Sequence, residues 1–363
     1  MTVLDHLKQH MLYLDGGMGT LLQQRGLRAG EAPEGWNLTH PDAVQEIHRA
    51  YFDAGSHVVS ANTFGANALR YAPDELERIV AAREASRAAQ EKFVALDIGP
   101  TGRLLRPFGD FDFEDAVRAF AAAVRLGVKH GAELILIETM SDSYETKAAL
   151  LAAKENSDLP VFVSNAYGAD GKLMTGATPA AMVAMLEGLH ADAIGANCSF
   201  GPRQLSGVVE ELLACASVPV LFMPNAGLPR SVDGRTVYDV GPEDFAQEVA
   251  ALVARGVVGG CCGTTPEHIE ALVRRCGGLE PAPVTRKQTA CISSYTHAVC
   301  FGGAPVLIGE RINPTGKKRF QQALRERDIG YVLQEGIRQQ EAGAHVLDVN
   351  VGLPDVDEPA LLC

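Results

Sequence analysis

Several things are scarce or missing in this chain of 363 residues. It has no Lys/Arg-rich block and a formal net charge of −13, which removes the electrostatic basis for binding nucleic acid or an anionic membrane. No apolar run reaches the roughly 20 residues that a spanning helix needs. The opening stretch, MTVLDHLKQHMLYLDGG, lacks the basic n-region and apolar h-region of a secretion signal. Cysteines number eight, irregularly spaced and without a CxxC pair. In a long chain with no secretion signal, that argues against structural disulfides and toward metal binding or catalysis for any cysteines that cluster. The expectation is a soluble, cytoplasmic protein. The length suits one large domain with an addition, or two domains, and a hydrophobic fraction of 47% suffices for a sizeable core.

What is present is an alternation of short apolar runs with helical patterns. The runs are MLYLD ending at Asp15, HVVSA before Asn62, FVALDIG through Asp97, LILIE ending at Glu138, VFVSN ending at Asn165, AIGANC ending at Cys198, PVLFMPN ending at Asn225, and GVVGG before Cys261. Each precedes a helix-like stretch: Pro41 to Ala54, Asp74 to Lys92, Glu114 to His130, Ser143 to Asn156, Thr178 to Leu189, Pro202 to Cys215, Pro242 to Arg255 and Pro266 to Arg275. Many open on Pro or a small polar residue, as first-turn and N-cap positions should. Eight βα units in about 275 residues predict an α/β fold of the (β/α)8 TIM-barrel type. A doubly wound sheet is the alternative, but the first βα loop, DGGMGT, is not the G-x-G-x-x-G fingerprint. Residues 1–276 are therefore expected to form the barrel and 277–303 a linker. In 304–363 the pattern restarts with APVLIGERI, a helix from Asp328 to Ala342 and HVLDVN. That is too short for a second barrel and reads as the incomplete start of a second α/β domain.

Side chains at the C-terminal ends of barrel strands face the active site. This rule separates Cys198, Cys261 and Cys262 from the other cysteines. Three thiolates suit a zinc ion in tetrahedral geometry, and a catalytic site keeps one position open. Neighbouring residues on a regular strand point to opposite faces, so Cys261 and Cys262 reach one ion only if the strand has ended. Gly259, Gly260 and Gly263 make that turn possible. A small buried hydrophobe is the plainer reading of any single strand-end Cys. Asp15 and the glycines after it would by themselves make a capped tight turn, or their N–H groups would hold a carboxylate. Glu138 ends an apolar strand and calls for a cation, for which a substrate ammonium would serve. Asn225, in MPNAGLP, either stabilises its own turn or offers an amide oxygen to the metal. Together the parts describe a pocket for an amino acid bearing a thiol.

These residues resemble a known family. YLDGGMGTLLQQRG, WNLTHPDAV, SANTFGAN, IETM, GANCSFGP, PNAGLP and GGCCGTTPEHI are together similar to the homocysteine S-methyltransferase domain, over about residues 1 to 276. The resemblance implies zinc bound by Cys198, Cys261 and Cys262, with Asn225 at a motif position near the metal, and homocysteine contacts at Asp15, Gly17, Met18 and Glu138. Downstream, VLIGERINPTGKKRFQQAL and EAGAHVLDVNVG resemble the opening of the pterin domain of cobalamin-dependent methionine synthases. There, Glu310, Asn313, Asp348 and Asn350 match pterin-site positions, and would otherwise be strand-end caps and turns. The implied reaction is methyl transfer to the zinc-activated homocysteine thiolate, forming methionine. Methylcobalamin and 5-methyltetrahydrofolate would be used in a longer chain carrying cobalamin and folate domains, of which this chain reads as an N-terminal fragment. The alternatives are a cobalamin-independent methyltransferase using betaine or S-methylmethionine, a zinc-storing module, and a Schiff-base barrel enzyme. The last would need a strand-end Lys, and none of the eight runs ends in one.

Overall fold

The structure is a computed structural model and describes residues 2–28, 30–82, 92–232, 235–252, 256–279, 284–287 and 289–362. It divides into two compact units, one of residues 1–287 with 293–298, the other of 288–292 with 299–363.

The first unit is an α/β TIM barrel. Its strands are β1 (Leu12–Tyr13), β2 (Val58–Ser60), β3 (Phe93–Ile98), β4 (Leu134–Met140), β5 (Val161–Asn165), β6 (Ala193–Asn197), β7 (Val220–Met223) and β8 (Val257–Val258). The paired strands run parallel, in the order β1-β8-β7-β6-β5-β4-β3-β2. The seam between β1 and β2 is bridged by the His57 N–H, which donates to the Tyr13 carbonyl at 2.8 Å. The Asp15 carboxylate adds to it, accepting from the Ser60 N–H at 2.8 Å and the Ser60 hydroxyl at 2.9 Å.

The strand period of two sorts each apolar run into two layers. Leu134, Leu136, Phe162, Ala193, Leu221 and Val257 fill the barrel interior. Their neighbours Ile135, Ile137, Val163, Ile194, Val220 and Val258 pack in the larger core cluster shared with the surrounding helices. The same parity carried to the strand ends puts Asp97, Glu138, Ser164 and Asn197 on the inner side. The N-terminal helix Val3–Leu7, closed by a capping box between Thr2 and Asp5, sends Val3 and Leu7 into the interior cluster. That end of the barrel is thus filled with apolar side chains.

All eight expected strands are present. The helices Ser143–Asn156 and Pro41–Asp53 follow their expected bounds closely. That expected at 74–92 is described as Pro73–Ala81, and that expected at 242–255 as Pro242–Leu252; residues 83–91 and 253–255 lie outside the described residues. The helix expected from Pro202 begins at Ser206, after a turn. β4 continues past Glu138 to Met140 through an irregularity in its pairing with β5, where Thr139 takes a φ of 59°. The sequence reading also passed over the helix Met18–Gln24 and the hairpin Arg230–Val232 with Arg235–Val237. Among the described residues, no helix is long and apolar enough to cross a membrane.

Residues 277–303 contain two short paired strands, Cys291–Ser293 and Ala298–Cys300. A disulfide joins Cys291 to Cys300, with Cα atoms 4.1 Å apart. This corrects the expectation of no structural disulfide: the turn between the strands folds the two cysteines opposite each other, a proximity that irregular spacing along the chain conceals. In the second unit, Ile308–Ile312 and Val346–Val349 pair in parallel, with helices Lys318–Glu326 and Ile329–Glu341 between them. Ile312, Phe320, Leu324 and Val351 form its small core, and Leu307, Ile308, Leu347 and Val349 remain exposed.

Candidate active site at the barrel mouth

The three strand-end cysteines converge. Their Sγ atoms lie within 4.8 Å of one another, and those of Cys198 and Cys262 are 4.0 Å apart. A tetrahedral zinc with Zn–S bonds of about 2.3 Å spaces its sulfurs by roughly 3.8 Å, so the spacing fits a thiolate-bound metal.

The backbone is built to bring them there. Cys198 and Ser199 have φ of 58° and 60°, left-handed angles that cost L-residues about 1–2 kcal/mol each. Their neighbours hold that turn: the Cys198 N–H donates to Met223 O at 3.1 Å, and the Phe200 N–H to Cys198 O at 2.7 Å. On the other side, Cys261 N–H donates to Pro224 O at 2.9 Å, and Ala226 N–H to Cys262 O at 3.0 Å. The Thr264 hydroxyl donates to Cys261 O at 2.6 Å. At Gly263 the φ is 80°, and a Cβ there would stand 2.2 Å from the Tyr238 ring. The loops after β6, β7 and β8 are thus stitched into one frame.

The three thiols interact strongly with one another. Hydrogen bonds from Cys261 and Cys262 hold the Cys198 thiol down, to about 3. Its partners pay the opposite way: Cys262 is pushed up to about 12, and Cys261 well above the usual thiol range, by their bonds to Cys198 and by burial. The hydrogen bonds within the trio thus favour ionisation of Cys198 over its two partners. Asn225 lies beside it, its side chain bonded to the Cys198 sulfur. The Asn225 Oδ1 is buried with no hydrogen-bond partner, an expensive arrangement for a polar atom that a cation would relieve.

A cavity of about 400 Å³ opens beside the sulfurs and is lined by Asp15, Asp97 and Glu138. Burial raises the Asp15 carboxyl to about 7, against the two hydrogen bonds from Ser60. Burial, with the charges of Cys198 and Asp15, raises Glu138 to about 8. Asp97 is raised well above the carboxylate range by burial and by Glu138, and its Oδ1 has no partner. Arg70, which also lines the cavity, lies 3.9 Å from Glu34. Three carboxyls so placed favour a positively charged ligand group.

Asp15, Gly17, Met18 and Glu138 all line the cavity with the cysteines. Asp15 also has a structural task, tying β1 to β2 through Ser60. The Gly17 N–H is taken by the Thr264 hydroxyl at 3.1 Å. The turn's other donors, at Met18 and Gly19, start the helix Met18–Gln24, where first-turn N–H groups have no acceptor within the helix. Glu310, Asn313, Asp348 and Asn350 belong to the second unit, on or just after its two paired strands. Asn313 and Asn350 each accept an N–H two residues on, from Thr315 and Gly352, at 2.9 Å, which are turn-making bonds.

Sequence reasoning set Asp97 at a strand end facing the site without giving it a role, and missed Asn197. Both were legible from parity, since each lies an even number of residues from an inward-facing neighbour on its own strand.

A family model described as homocysteine S-methyltransferase matches residues 12–276. The chain is 32% identical to the methionine synthases of Mycobacterium leprae and Mycobacterium tuberculosis, over 96% of its own length and 32% of theirs. It thus spans about a third of the length of these curated relatives. Among solved structures, it resembles the metallated form of the homocysteine methyltransferase MmuM from Escherichia coli. The TM-score is 0.62 at 23% identity, covering 75% of this chain and 98% of that one.

Proposed function

The chain belongs to the homocysteine S-methyltransferase family, and on that premise we propose that its barrel methylates the sulfur of homocysteine to give methionine, using zinc held by Cys198, Cys261 and Cys262. The observation that carries this reading is the cysteine trio opening onto one cavity with three carboxyls. A zinc ion bound there would supply the Lewis acidity that keeps a substrate thiol deprotonated near neutral pH, where a free thiol of pKa about 8.5 is mostly protonated. Asn225 is the candidate for an exchangeable fourth donor.

The chain's own residues do the rest. Glu138, with Asp97 and Asp15 beside it, receives the ammonium group, and its ionisation is restored by that positive charge. The N–H groups of Met18 and Gly19 face the substrate carboxylate. Met18 and Phe64 keep the cavity partly apolar, which limits water around the reacting sulfur. Gly17 must stay small, because a Cβ there would stand 2.9 Å from the Cys261 carbonyl.

The methyl donor is proposed for the longer protein: methylcobalamin, recharged from 5-methyltetrahydrofolate, with cobalamin and folate domains as partners of this barrel. Glu310, Asn313, Asp348 and Asn350 would contribute to a pterin site of the longer protein. A cytoplasmic location accords with this chemistry.

The test measures zinc per chain and homocysteine binding by calorimetry, for the unmodified protein and for Cys198→Ala and Cys261→Ala. The unmodified chain should bind one zinc and then homocysteine, and both variants should lose both. Tight homocysteine binding by a metal-free variant would sink the proposal. Offering methylcobalamin, betaine and S-methylmethionine separately and measuring methionine identifies the donor.

A further inference from the structure

We infer that Asn197 is the positioning residue that ties the amino-group end of the pocket to its sulfur end, and so makes the site selective for thiols that carry an amino group. The inference rests on the homocysteine reading above.

Asn197 is fully buried at the end of β6, next to Cys198. Its amide can face only one way. The Oδ1 accepts the Thr139 N–H at 2.9 Å and the Ser164 hydroxyl at 2.7 Å. A backbone N–H is a donor only, so the oxygen must point at Thr139 and the NH2 group must point the other way. That NH2 group has two hydrogens and three neighbours. Thr139 Oγ1 lies at 2.7 Å, Glu138 Oε2 at 3.2 Å and Cys261 Sγ at 3.9 Å. With one hydrogen on the threonine, the other sits between the Glu138 carboxylate and the Cys261 sulfur. A single N–H thus serves both the group that meets the substrate ammonium and a sulfur of the metal trio.

The backbone around Glu138 depends on the same amide. Thr139 has a φ of 59°, and the pairing of β4 with β5 is irregular between Ile137 and Met140. Asn197 clamps that irregularity from both sides, through the Thr139 N–H and hydroxyl. The direction of the Glu138 carboxylate is therefore set from β6, one strand beyond β4's own neighbour β5. Asn197 touches neither the reacting sulfur nor the methyl group; it acts through Glu138 and Cys261.

Asn197→Asp is the selective probe. It keeps the shape and both acceptor bonds and replaces the NH2 donors with a carboxylate oxygen, which repels Glu138 when ionised. Calorimetry on the zinc-loaded full chain compares homocysteine with 4-mercaptobutyrate, which has the same thiol and carboxylate but no amino group. Homocysteine Kd should rise by about ten- to hundred-fold, the worth of a well-directed hydrogen bond to a charged group. The 4-mercaptobutyrate Kd should change far less, and zinc per chain at saturating zinc should stay the same, while zinc affinity falls through the lost Cys261 contact. In a Glu138→Gln background, Asn197→Asp should add little, because both changes disable the same contact. If Asn197→Asp does not fold, Ser164→Ala takes its place: it removes one anchor of the amide and should show the same selective loss in smaller size. Equal weakening of both ligands, loss of zinc, or an unchanged homocysteine Kd overturns the inference. Failure of the unmodified chain to bind homocysteine overturns the homocysteine reading and this inference with it.

Discussion

Alanine at Gly195 should disarm the metal site from three residues away. Gly195 sits in the middle of β6, paired with Leu221 of β7. A Cβ built on it would stand 1.7 Å from the Leu221 carbonyl oxygen and 2.5 Å from its carbon. These are backbone atoms, so no side-chain rotation relieves the clash; the strands must part by more than an ångström. Overpacking of this kind costs about 1–3 kcal/mol, which for a domain of this size lowers Tm by roughly 2–10 °C. The functional cost follows from where the two strands lead. Cys198 is held by Met223 O at 3.1 Å and Asn225 N–H by Phe200 O at 3.0 Å, so parting β6 from β7 shifts Cys198 against Cys261 and Cys262. Thermal denaturation and a zinc titration against a chromophoric chelator read the two effects, and zinc affinity should fall about ten-fold or more. Gly207→Ala is the control. Gly207 lies on the exposed side of the helix Ser206–Cys215 with nothing within 4 Å of an added Cβ, so the same change there should stabilise by about 0.4–1 kcal/mol. Unchanged melting and zinc affinity in Gly195→Ala would refute the idea that the β6–β7 spacing sets the geometry of the trio.

Three further outcomes follow from the charges at and below the site. Zinc loading near pH 7 should release about two protons per ion, because Cys198 is already ionised while Cys261 and Cys262 are not. Ligand deprotonation makes binding stronger as pH rises, by about two decades per unit; calorimetry in buffers of different ionisation enthalpy measures this, and release of no protons would exclude the thiols as ligands. Glu138→Gln should leave zinc content unchanged and weaken homocysteine by about ten- to hundred-fold, the worth of a hydrogen bond to a charged group; an unchanged Kd would place the ammonium elsewhere. His57 is held down to about 4 by burial and by the nearby His6, Lys92 and His10, and its Nδ1 accepts the Tyr13 N–H at 3.2 Å. A depressed folded-state pKa stabilises the neutral form, so this contribution is complete above pH about 6.5 and fades as pH falls toward 4. His57→Gln, which keeps an acceptor but cannot titrate, should make the melting temperature less acid-sensitive across that window.

The legible parts of this protein were those written in local pattern. Eight apolar runs, each followed by a helix-like stretch, were enough for the barrel, because a parallel strand buried on both faces reads as a short unbroken apolar segment. The rule that strand ends carry chemistry then separated Cys198, Cys261 and Cys262 from five other cysteines, and drew attention to Glu138 and Asn225. The hairpin and its Cys291–Cys300 disulfide were not legible, because strands of three residues are too short to show a period. The second task of Asp15, closing the barrel seam on Ser60, was invisible for a different reason: its partner is 45 residues away.

The sequence by itself determined the inventory: the donor atoms, the strand on which each sits and the inner or outer face each takes. These follow from residue chemistry and from the period of a strand, which are local. Tertiary structure alone decided how those atoms share charge and hydrogen bonds. It brought three sulfurs from two distant loops within 4.8 Å, so that their ionisations are linked. It placed three carboxyls around one cavity with their pKa values raised. It also turned Asn197, an unremarked neighbour of a cysteine, into the link between Glu138 and Cys261. Those properties depend on distances between segments far apart in the chain, and only the closure of the barrel sets such distances.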